Sequence, residues 1–495
     1  MLSVVVFLPL AVGLVLLALP RLPDPAIRWI WVAVSAVDLA LVVALWIAYQ
    51  PAAGIGYETD VEWIPSVSSG YHIGVDGLSL PLLAMTSGLF LACAIFSLRE
   101  TKRVRAYVVL FLLLHTVSLG LFVSLDLILF FVFFDVSIVA MYFVIAGWGH
   151  GERARRSALM FFLYTFLGSL VLLLGFIGLY LAAEPNTFDI VELTAQAPLD
   201  GGGPLAGLVL LALVVGLAIK TPTVPFHTWL PPAHSDAPAA GSAILAGVLL
   251  KMGTFGFVRI VMPIMPETWR QYALVIVIVG VVSVVYGALV ALAQTDLKRM
   301  VAYTSVNHMG YVILGVGAAG LLAGSSEQAR TLAVTGAVTQ MVSHGLITGA
   351  LFLLTGVLYA RCGTYDMAAY GGLARPAPRF ALLFAAAAFA SLGLPGFSGF
   401  IAEFQILTGS LSGAPVATAI AVLGIVLTAA LFLLALQRVF LGDPQAPAAL
   451  GDVTVVETSA IAPLVVATVV IGVFPRFLLD VIEPAARTVV ELVTR

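Results

Sequence analysis

The sequence predicts an all-α integral membrane protein with about fourteen transmembrane helices. Of its 495 residues, 61% are hydrophobic and 10% are charged, and the mean hydropathy is +1.10. A soluble domain carries roughly 25% charged residues, so a globular core would not hide this much apolar surface. Apolar runs of helical length recur along the chain, and Lys and Arg are concentrated in alternate loops between them.

Each predicted span is a mostly apolar stretch near the length of about 20 residues that a helix needs to cross the hydrocarbon core. The predicted spans are 2–20, 29–49, 78–98, 106–123, 126–148, 157–182, 205–221, 237–261, 271–293, 300–322, 331–358, 379–409, 414–440 and 458–475. The first run lacks a basic n-region and a small-residue cleavage site, so we interpret it as a retained helix. The short loops leave no room for a soluble domain.

The basic residues test the number of spans. Fifteen of the 23 Lys and Arg residues fall in one set of alternate loops, whereas the opposite loops hold only Arg270 and Arg330. The positive-inside rule places the basic set on the cytoplasmic side. Both termini are therefore predicted on the outer side of a bacterial inner membrane. Three basic residues, Lys220, Lys251 and Arg259, remain inside spans.

Proline and glycine interrupt the seventh and twelfth spans. The seventh reads LAIKTPTVPFHTWLPPAH with four prolines, and the twelfth reads SLGLPGFSGFIAEF with Pro395 between two glycines. In lipid, the freed backbone groups must be satisfied by protein or by water in a cavity. Because the breaks lie five spans apart, they predict two inverted five-helix repeats, spans 4–8 and 9–13. The predicted units are residues 1–105, 106–262, 263–440 and 441–495, the last being one span and a tail.

Six ionisable side chains lie at mid-membrane depth in different spans. They are Asp135, Lys220, Lys251, His308, His344 and Glu403. A charge at a helix centre costs about 2.5–3.5 kcal/mol on insertion scales, so each needs a reason to be there. Singly, each residue has a structural interpretation: an ion pair, a lysine reaching the interface, a core histidine or a helix cap. Six together favour a proton relay, because relays in pumps use these residue types.

The broken helices suit two of these charges. A helix C-terminus favours a cation, and Lys220 is expected at such an end. A helix N-terminus favours an anion, and Glu403 is expected in the first turns of a new half-helix. A carboxylate beside Lys220 favours its charged form, so movement of Asp135 would control proton release. We assign His115 and Asp126 mainly structural roles, and expect His227 and His234 in a loop, lining an entrance or solvated.

Cofactor sites are not predicted in this chain. Two cysteines, Cys93 and Cys362, are too few for an iron–sulfur cluster or a cysteine-rich zinc site. Neither a dinucleotide-binding GxGxxG turn nor a GxxxxGK[ST] phosphate loop occurs in the sequence.

Five segments together resemble the antiporter-like membrane subunits of respiratory complex I. They are residues 220–260 with FHTWLP and AHSDAP, YHIGVDGLSL at 71–80, MYFVIAGWGH at 141–150, DLKRMVAYTSVNHMGYVILG at 296–315 and SLGLPGFSGFIAEF at 391–404. The resemblance implies a proton-translocating subunit of NADH–quinone oxidoreductase. It places the family's channel residues on the six positions chosen above.

The resemblance also implies partners. Neighbouring antiporter-like chains, other membrane subunits and membrane lipids are expected around this chain, and nucleic acid is not. Flavin and iron–sulfur clusters are expected in a peripheral redox arm. The family normally has Glu where this chain has Asp135, and often Asp where it has Pro232. A subunit of a multisubunit cation/proton antiporter, a ferredoxin-driven or hydrogenase relative, and a purely structural anchor are the alternatives.

Overall fold

The fold is a bundle of apolar helices, as the composition predicts. The computed structural model describes residues 1–443 and 451–495. The helices are α1 Leu2–Ala18, α2 Asp24–Ala48, α3 Ser79–Phe96, α4 Val104–Val123, α5 Leu127–Trp148, α6 Ala154–Ala182, α7 Ile190–Gln196, α8 Pro204–Lys220, α9 Leu230–Asp236, α10 Ala239–Ile264, α11 Pro266–Leu292, α12 Leu297–Ala318, α13 Glu327–Cys362, α14 Pro378–Ser391, α15 Ser398–Leu411, α16 Pro415–Phe440, α17 Val455–Val473 and α18 Arg476–Thr494. The predicted helical membrane fold is confirmed.

Apolar helices of two lengths form the bundle. Within the described residues, ten helices are long and apolar enough to cross a membrane, and α1, α8 and α14 are shorter apolar helices. The outward faces stay apolar: α6 exposes Leu163, Leu167 and Leu174, each more than half exposed. In water such a face would be costly, whereas lipid tails accommodate it. The number of fourteen spans and the boundaries of the four units stay predictions, and residues 444–450 of the last unit lie outside the described part.

Both predicted breaks are present. Helix α8 ends at Lys220, and α9 begins at Leu230 with Pro231 and Pro232 in its first turn, where proline is tolerated. Helix α14 ends at Ser391 and α15 begins at Ser398. Each break therefore leaves free helix ends inside the bundle.

Helix α10 departs from α geometry twice. Residues Leu245–Leu249 and Phe257–Val261 are π-helical, and Lys251 lies between them. Short π segments are rare and frequently mark functional sites. Nearly every residue of α10 is buried, so this irregular backbone lies against protein.

Helix α13 forms the centre of the second half of the bundle. It is 36 residues long, and 94% of its most apolar window is buried. It packs against α12, α14 and α15, and on other faces against α3, α10, α17 and α18. Ser326 caps its N-terminus, and Gly363 ends it with a left-handed φ of 70°.

A β-hairpin is the one sheet among the described residues. Strands β1 (Gly56–Ile64) and β2 (Ser69–Val75) pair antiparallel, and Asp126 joins β2 to α5. The Asp126 carboxylate accepts hydrogen bonds from Ser69 and Gly70 and also caps α5 through the N–H groups of Ile128 and Leu129. This agrees with the mainly structural role expected for Asp126. The all-helical prediction missed the hairpin.

The expected C-terminal tail is a helix, α18. It buries one stripe at helical spacing, with the members Leu478, Val481, Ile482, Ala486, Val489, Val490 and Val493. The stripe packs against α13, and α18 also contacts α3 and α11. Its other face carries charged pairs such as Glu483–Arg487. An amphipathic helix of this kind suits a membrane surface better than a span.

Candidate functional site

Lys220 is the last residue of α8, with its side chain 1% exposed. Its Nζ donates to Ser137 Oγ at 3.1 Å and lies 4.7 Å from the centre of the Phe134 ring. Both partners are on α5, so the amine at the first break faces the helix that carries Asp135. The negative end of the α8 dipole favours this cation.

Asp135 is half-buried on α5 between those two partners of Lys220. Its Oδ1 finds no hydrogen-bond partner within the part of the chain that the structure describes, and Lys220 bonds Ser137 instead. Asp is one methylene shorter than the Glu that the family normally has at this position, which agrees with the absence of a direct hydrogen bond to Lys220. The Asp135 carboxylate therefore attracts the Lys220 amine across a gap, without a direct hydrogen bond between them.

Helices α8 and α10 meet closely beyond Lys220. A Cβ added at Gly253 would lie 2.4 Å from Thr221 Oγ1 and 2.8 Å from the Leu217 carbonyl oxygen. Glycine permits this approach, which brings the end of α8 to within two residues of Lys251 along α10. The Thr221 hydroxyl is buried, and it lacks a hydrogen-bond partner among the described residues.

Lys251 is fully buried between the two π segments. Its Nζ lies 2.7 Å from the Ala246 carbonyl oxygen and 2.6 Å from His344 Nδ1. An ammonium donates to both acceptors, so the amine is bound while it carries its proton. The lysine predicted on the eighth span and the histidine predicted on the eleventh are thus in direct contact.

His308 continues the series from His344. The two rings lie 5.5 Å apart between centres, and His308 Nδ1 lies 3.2 Å from Glu403 Oε1. The other nitrogen, Nε2, is 3.0 Å from Ser391 Oγ, the last residue of α14. His308 thus contacts both halves of the second broken helix.

Glu403 lies in the second turn of α15 and is 4% exposed. The turn before α15 brings Gly393, with a left-handed φ of 75°, against its carboxylate. A Cβ at this position would be 2.7 Å from Glu403 Oε2. Glycine serves here both for its φ and for the space it leaves.

The six predicted residues therefore form two groups. Lys251, His344, His308 and Glu403 form one series of contacts, and Lys220 with the neighbouring Asp135 forms a second group at the other break. The tight contact at Gly253 lies between the two groups. Sequence reasoning missed the polar partners Ser137, Ser391 and Gln340, the last with its Nε2 at 3.2 Å from His308 Nδ1. Their signal was weak, because they carry no charge.

Two other histidines are placed differently from the prediction. His227 and His234 are buried, 5% and 0% exposed, so the expectation that they are solvated was wrong for both, although His227 does lie in the turn before α9. His234 belongs to α9 and stacks on Phe352 of α13 with 4.5 Å between ring centres. The short helix after the first break folds into the bundle, which the proline-rich sequence did not indicate.

His115 has the structural surroundings expected of it. Its Nε2 lies 3.1 Å from Asp38 Oδ2, and Ser87 donates to the same oxygen at 2.7 Å. All three are fully buried, and they join α2, α3 and α4. This cluster holds the first helices together.

Ionic contacts also fix the side of the bundle that carries the hairpin. Arg259 pairs with Asp76; burial alone would raise the pKa of the Asp76 carboxyl, but the guanidinium and backbone N–H groups outweigh it and lower that pKa. His72 lies between Glu58, at 2.7 Å, and Asp189. Burial would lower the pKa of His72, but these carboxylates raise it to about 9.

A metal centre is not formed by the site. Across the described residues, no group of three or more His, Cys, Asp or Glu side chains is placed to hold a metal ion. The arrangement instead offers amines, imidazoles and carboxylates in succession, which are the side chains that proton relays use. Two broken helices with such a buried series define an antiporter-like membrane subunit.

Comparison with known proteins gives the family. The family model "NADH:quinone oxidoreductase/Mrp antiporter, TM" matches residues 124–428. NADH-quinone oxidoreductase subunit M of Rhodobacter capsulatus is 39% identical, over 99% of this chain and 96% of the relative. NAD(P)H-quinone oxidoreductase chain 4 1 of Nostoc is 36% identical, over 96% and 88%. The chain belongs to the NADH:quinone oxidoreductase/Mrp antiporter family of membrane subunits.

Solved structures share the whole fold. A chain of respiratory complex I from Thermus thermophilus with bound NADH has a TM-score of 0.90 at 30% identity, and the match covers 100% of both chains. A chain of the Mrp complex from Dietzia has a TM-score of 0.86 at 23% identity, over 100% and 99%, and shows the fold alone.

Proposed function

We propose that this chain translocates protons as an antiporter-like membrane subunit of an NADH:quinone oxidoreductase. Its relatives over nearly the full length are such subunits, named M or chain 4. The observation that carries the proposal is the buried contact series Lys251–His344–His308–Glu403, which ends at the second helix break. The chain itself carries no redox step; NADH oxidation and quinone reduction belong to other subunits.

The contacts support stepwise proton transfer. Lys251 shares its proton with His344 Nδ1 across 2.6 Å, which is a hydrogen-bonding distance. His308 Nδ1 and Glu403 Oε1 are 3.2 Å apart, which also allows a proton to pass between them. Between the two imidazoles a bridging water or a ring rotation is needed, since their centres are 5.5 Å apart.

At the first helix break, Asp135 controls whether Lys220 holds or releases its proton. Lys220 holds its proton more firmly when the Asp135 carboxylate approaches, and releases it when the carboxylate withdraws. The Thr221 hydroxyl beside Gly253 has no hydrogen-bond partner among residues 1–443 and 451–495, so it is suited to bind a water between Lys220 and Lys251. Redox chemistry elsewhere in the assembly would shift the protonation equilibrium of Lys220 by moving Asp135.

The assembly and its setting follow from the same proposal. We place the chain in a bacterial inner membrane, with both termini on the outer side, beside other antiporter-like chains and lipids. Flavin and iron–sulfur clusters belong to the peripheral arm. Proton transport without redox partners, as in a multisubunit cation/proton antiporter, is the second candidate, because the Mrp chain shares the fold.

The test uses the assembled complex in inside-out membrane vesicles. Lys251→Ala and Glu403→Gln should abolish most NADH-driven acidification while the flavin and iron–sulfur subunits still copurify and oxidise NADH. Full acidification in both variants would contradict the relay. Isolation of the chain without redox proteins, together with sodium-linked antiport, would favour the second candidate.

A further inference from the structure

Two different side chains approach the same nitrogen of His308. Gln340 Nε2 lies 3.2 Å from His308 Nδ1 and forms a hydrogen bond with it. Glu403 Oε1 lies 3.2 Å from that nitrogen as well. Gln340 is on α13 and 2% exposed, and Glu403 is on α15. Gln340 and Glu403 are both buried, and each lies within direct contact distance of His308 Nδ1.

With Gln340 Nε2 turned toward Nδ1, the hydrogen bond selects a His308 ring that carries no proton on that nitrogen. An amide NH₂ can only donate, so the nitrogen that accepts it must carry no proton. The ring proton then lies on Nε2, which is 3.0 Å from Ser391 Oγ and can donate to it. Gln340 and Ser391 together select the neutral ring with its proton on Nε2.

Glu403 requires the opposite state of the same atom. A carboxylate only accepts, so it bonds Nδ1 only when Nδ1 carries a proton. Gln340 and Glu403 are therefore mutually exclusive partners of Nδ1. We infer that Gln340 is a positioning residue that holds His308 neutral until a proton arrives and then gives way to Glu403. This inference rests on the proposed proton relay and deepens it.

The exchange balances one proton. A proton that arrives at Nδ1 makes the ring a cation that donates to Ser391 from Nε2 and to Glu403 from Nδ1. Transfer of the Nδ1 proton to Glu403 Oε1 returns the neutral ring. Gln340 can then donate to Nδ1 again, which stabilises the neutral ring once the proton has moved to Glu403.

The groups around His308 come from four helices. Tyr311 of its own helix α12 lies near Glu403, and His344 of α13 lies on the side of Lys251. Ser391 of α14 and Glu403 of α15 complete the surroundings. Gln340 Oε1 has no hydrogen-bond partner within the described chain, so only the amide nitrogen ties this side chain down and its rotation breaks a single bond.

The experiment follows the pH dependence of proton pumping per NADH oxidised in inside-out vesicles that contain the assembled complex. Gln340→Met keeps the size and removes the donor. The alkaline pH of half-maximal pumping should rise by roughly half a unit to one unit, because loss of one net hydrogen bond changes an equilibrium about three- to tenfold. Gln340→Glu keeps the shape, adds an acceptor for a charged ring, and should shift the profile further in the same direction.

Thr339→Val is the matched control, because it removes a buried hydroxyl that bonds only the Thr335 carbonyl on the same helix. Its profile should coincide with that of the unmodified complex. Unshifted profiles for both Gln340 variants, or an equal loss at every pH, would refute the inference. If His308→Ala pumps normally, the relay itself fails, and that result is distinct from failure at Gln340.

Discussion

Gly393 and Gly396 allow the geometry of Glu403 to be tested separately from backbone strain. Both glycines lie in the second helix break, with left-handed φ values of 75° and 97°. Alanine at either position costs about 1–2 kcal/mol in backbone energy. A Cβ at Gly393 lies 2.7 Å from Glu403 Oε2, whereas one at Gly396 meets nothing within 4 Å. Gly393→Ala and Gly396→Ala therefore carry a similar backbone cost, and only Gly393→Ala also pushes on the Glu403 carboxylate.

The added effect is a displaced carboxylate. Ordinary contact begins near 3.4 Å, so Glu403 must retreat by about 0.7 Å. If it moves directly away, its 3.2 Å distance to His308 Nδ1 grows to about 3.9 Å, beyond hydrogen-bonding reach. A misplacement near 1 Å can cost about a hundredfold in rate, so we expect Gly393→Ala to lower pumping roughly tenfold or more.

The assay measures NADH-driven acidification of vesicles and thermal unfolding of the purified complex. Gly393→Ala and Gly396→Ala should lower thermal stability by similar amounts, while only Gly393→Ala should lose pumping. Equal pumping losses in the two variants would show that the strained turn matters and the Glu403 position does not. Full pumping by Gly393→Ala would refute the argument directly.

Three further results are expected. Asp135→Ala should lower pumping more than Asp135→Glu, because the charge near Lys220 matters more than its distance; equal loss with normal assembly, measured by acidification, would contradict this. The pKa of His72, raised to about 9, means that its ion pairs stabilise the fold fully below about pH 6.5 and are lost as the pH rises through 9. His72→Gln should remove a pH dependence of roughly 3 kcal/mol in the unfolding free energy between these values, and an unchanged slope would exclude it. Gly253→Ala, which places a Cβ 2.4 Å from Thr221 Oγ1, should destabilise the chain by about 1–3 kcal/mol in thermal unfolding, and unchanged stability would show that α8 can move aside.

Much of the bundle is predictable because each signal is local. Apolar length gives the spans, and proline beside glycine gives both breaks. The placement of Lys220 and Glu403 next to those breaks follows from their positions in the sequence and from the helix dipole. The six buried charges stand out because they are rare in apolar segments.

Features that depend on long-range contacts were not predictable in the same way. The strands at 56–75 are short and polar on one face, and they are held by Asp126 from a distant loop. The buried stripe of α18 has helical spacing, yet its charges made it resemble a tail. The role of Gln340 depends on which nitrogen it meets, and a sequence does not show that.

The two π segments of α10 have a consequence for engineering and for reading the sequence. Each π turn accommodates one residue more than an α turn, and one residue corresponds to about 100° of rotation around the axis. A helical wheel drawn through 239–264 therefore misplaces residues after 249, such as Arg259, by at least about 100°. Deleting one residue from 245–249 would remove the extra residue of that π turn and restore regular winding there, so Lys251 would keep its direction toward His344. Deleting one residue from the α-helical stretch between the π segments would instead rotate one side of α10 by about 100° relative to the other.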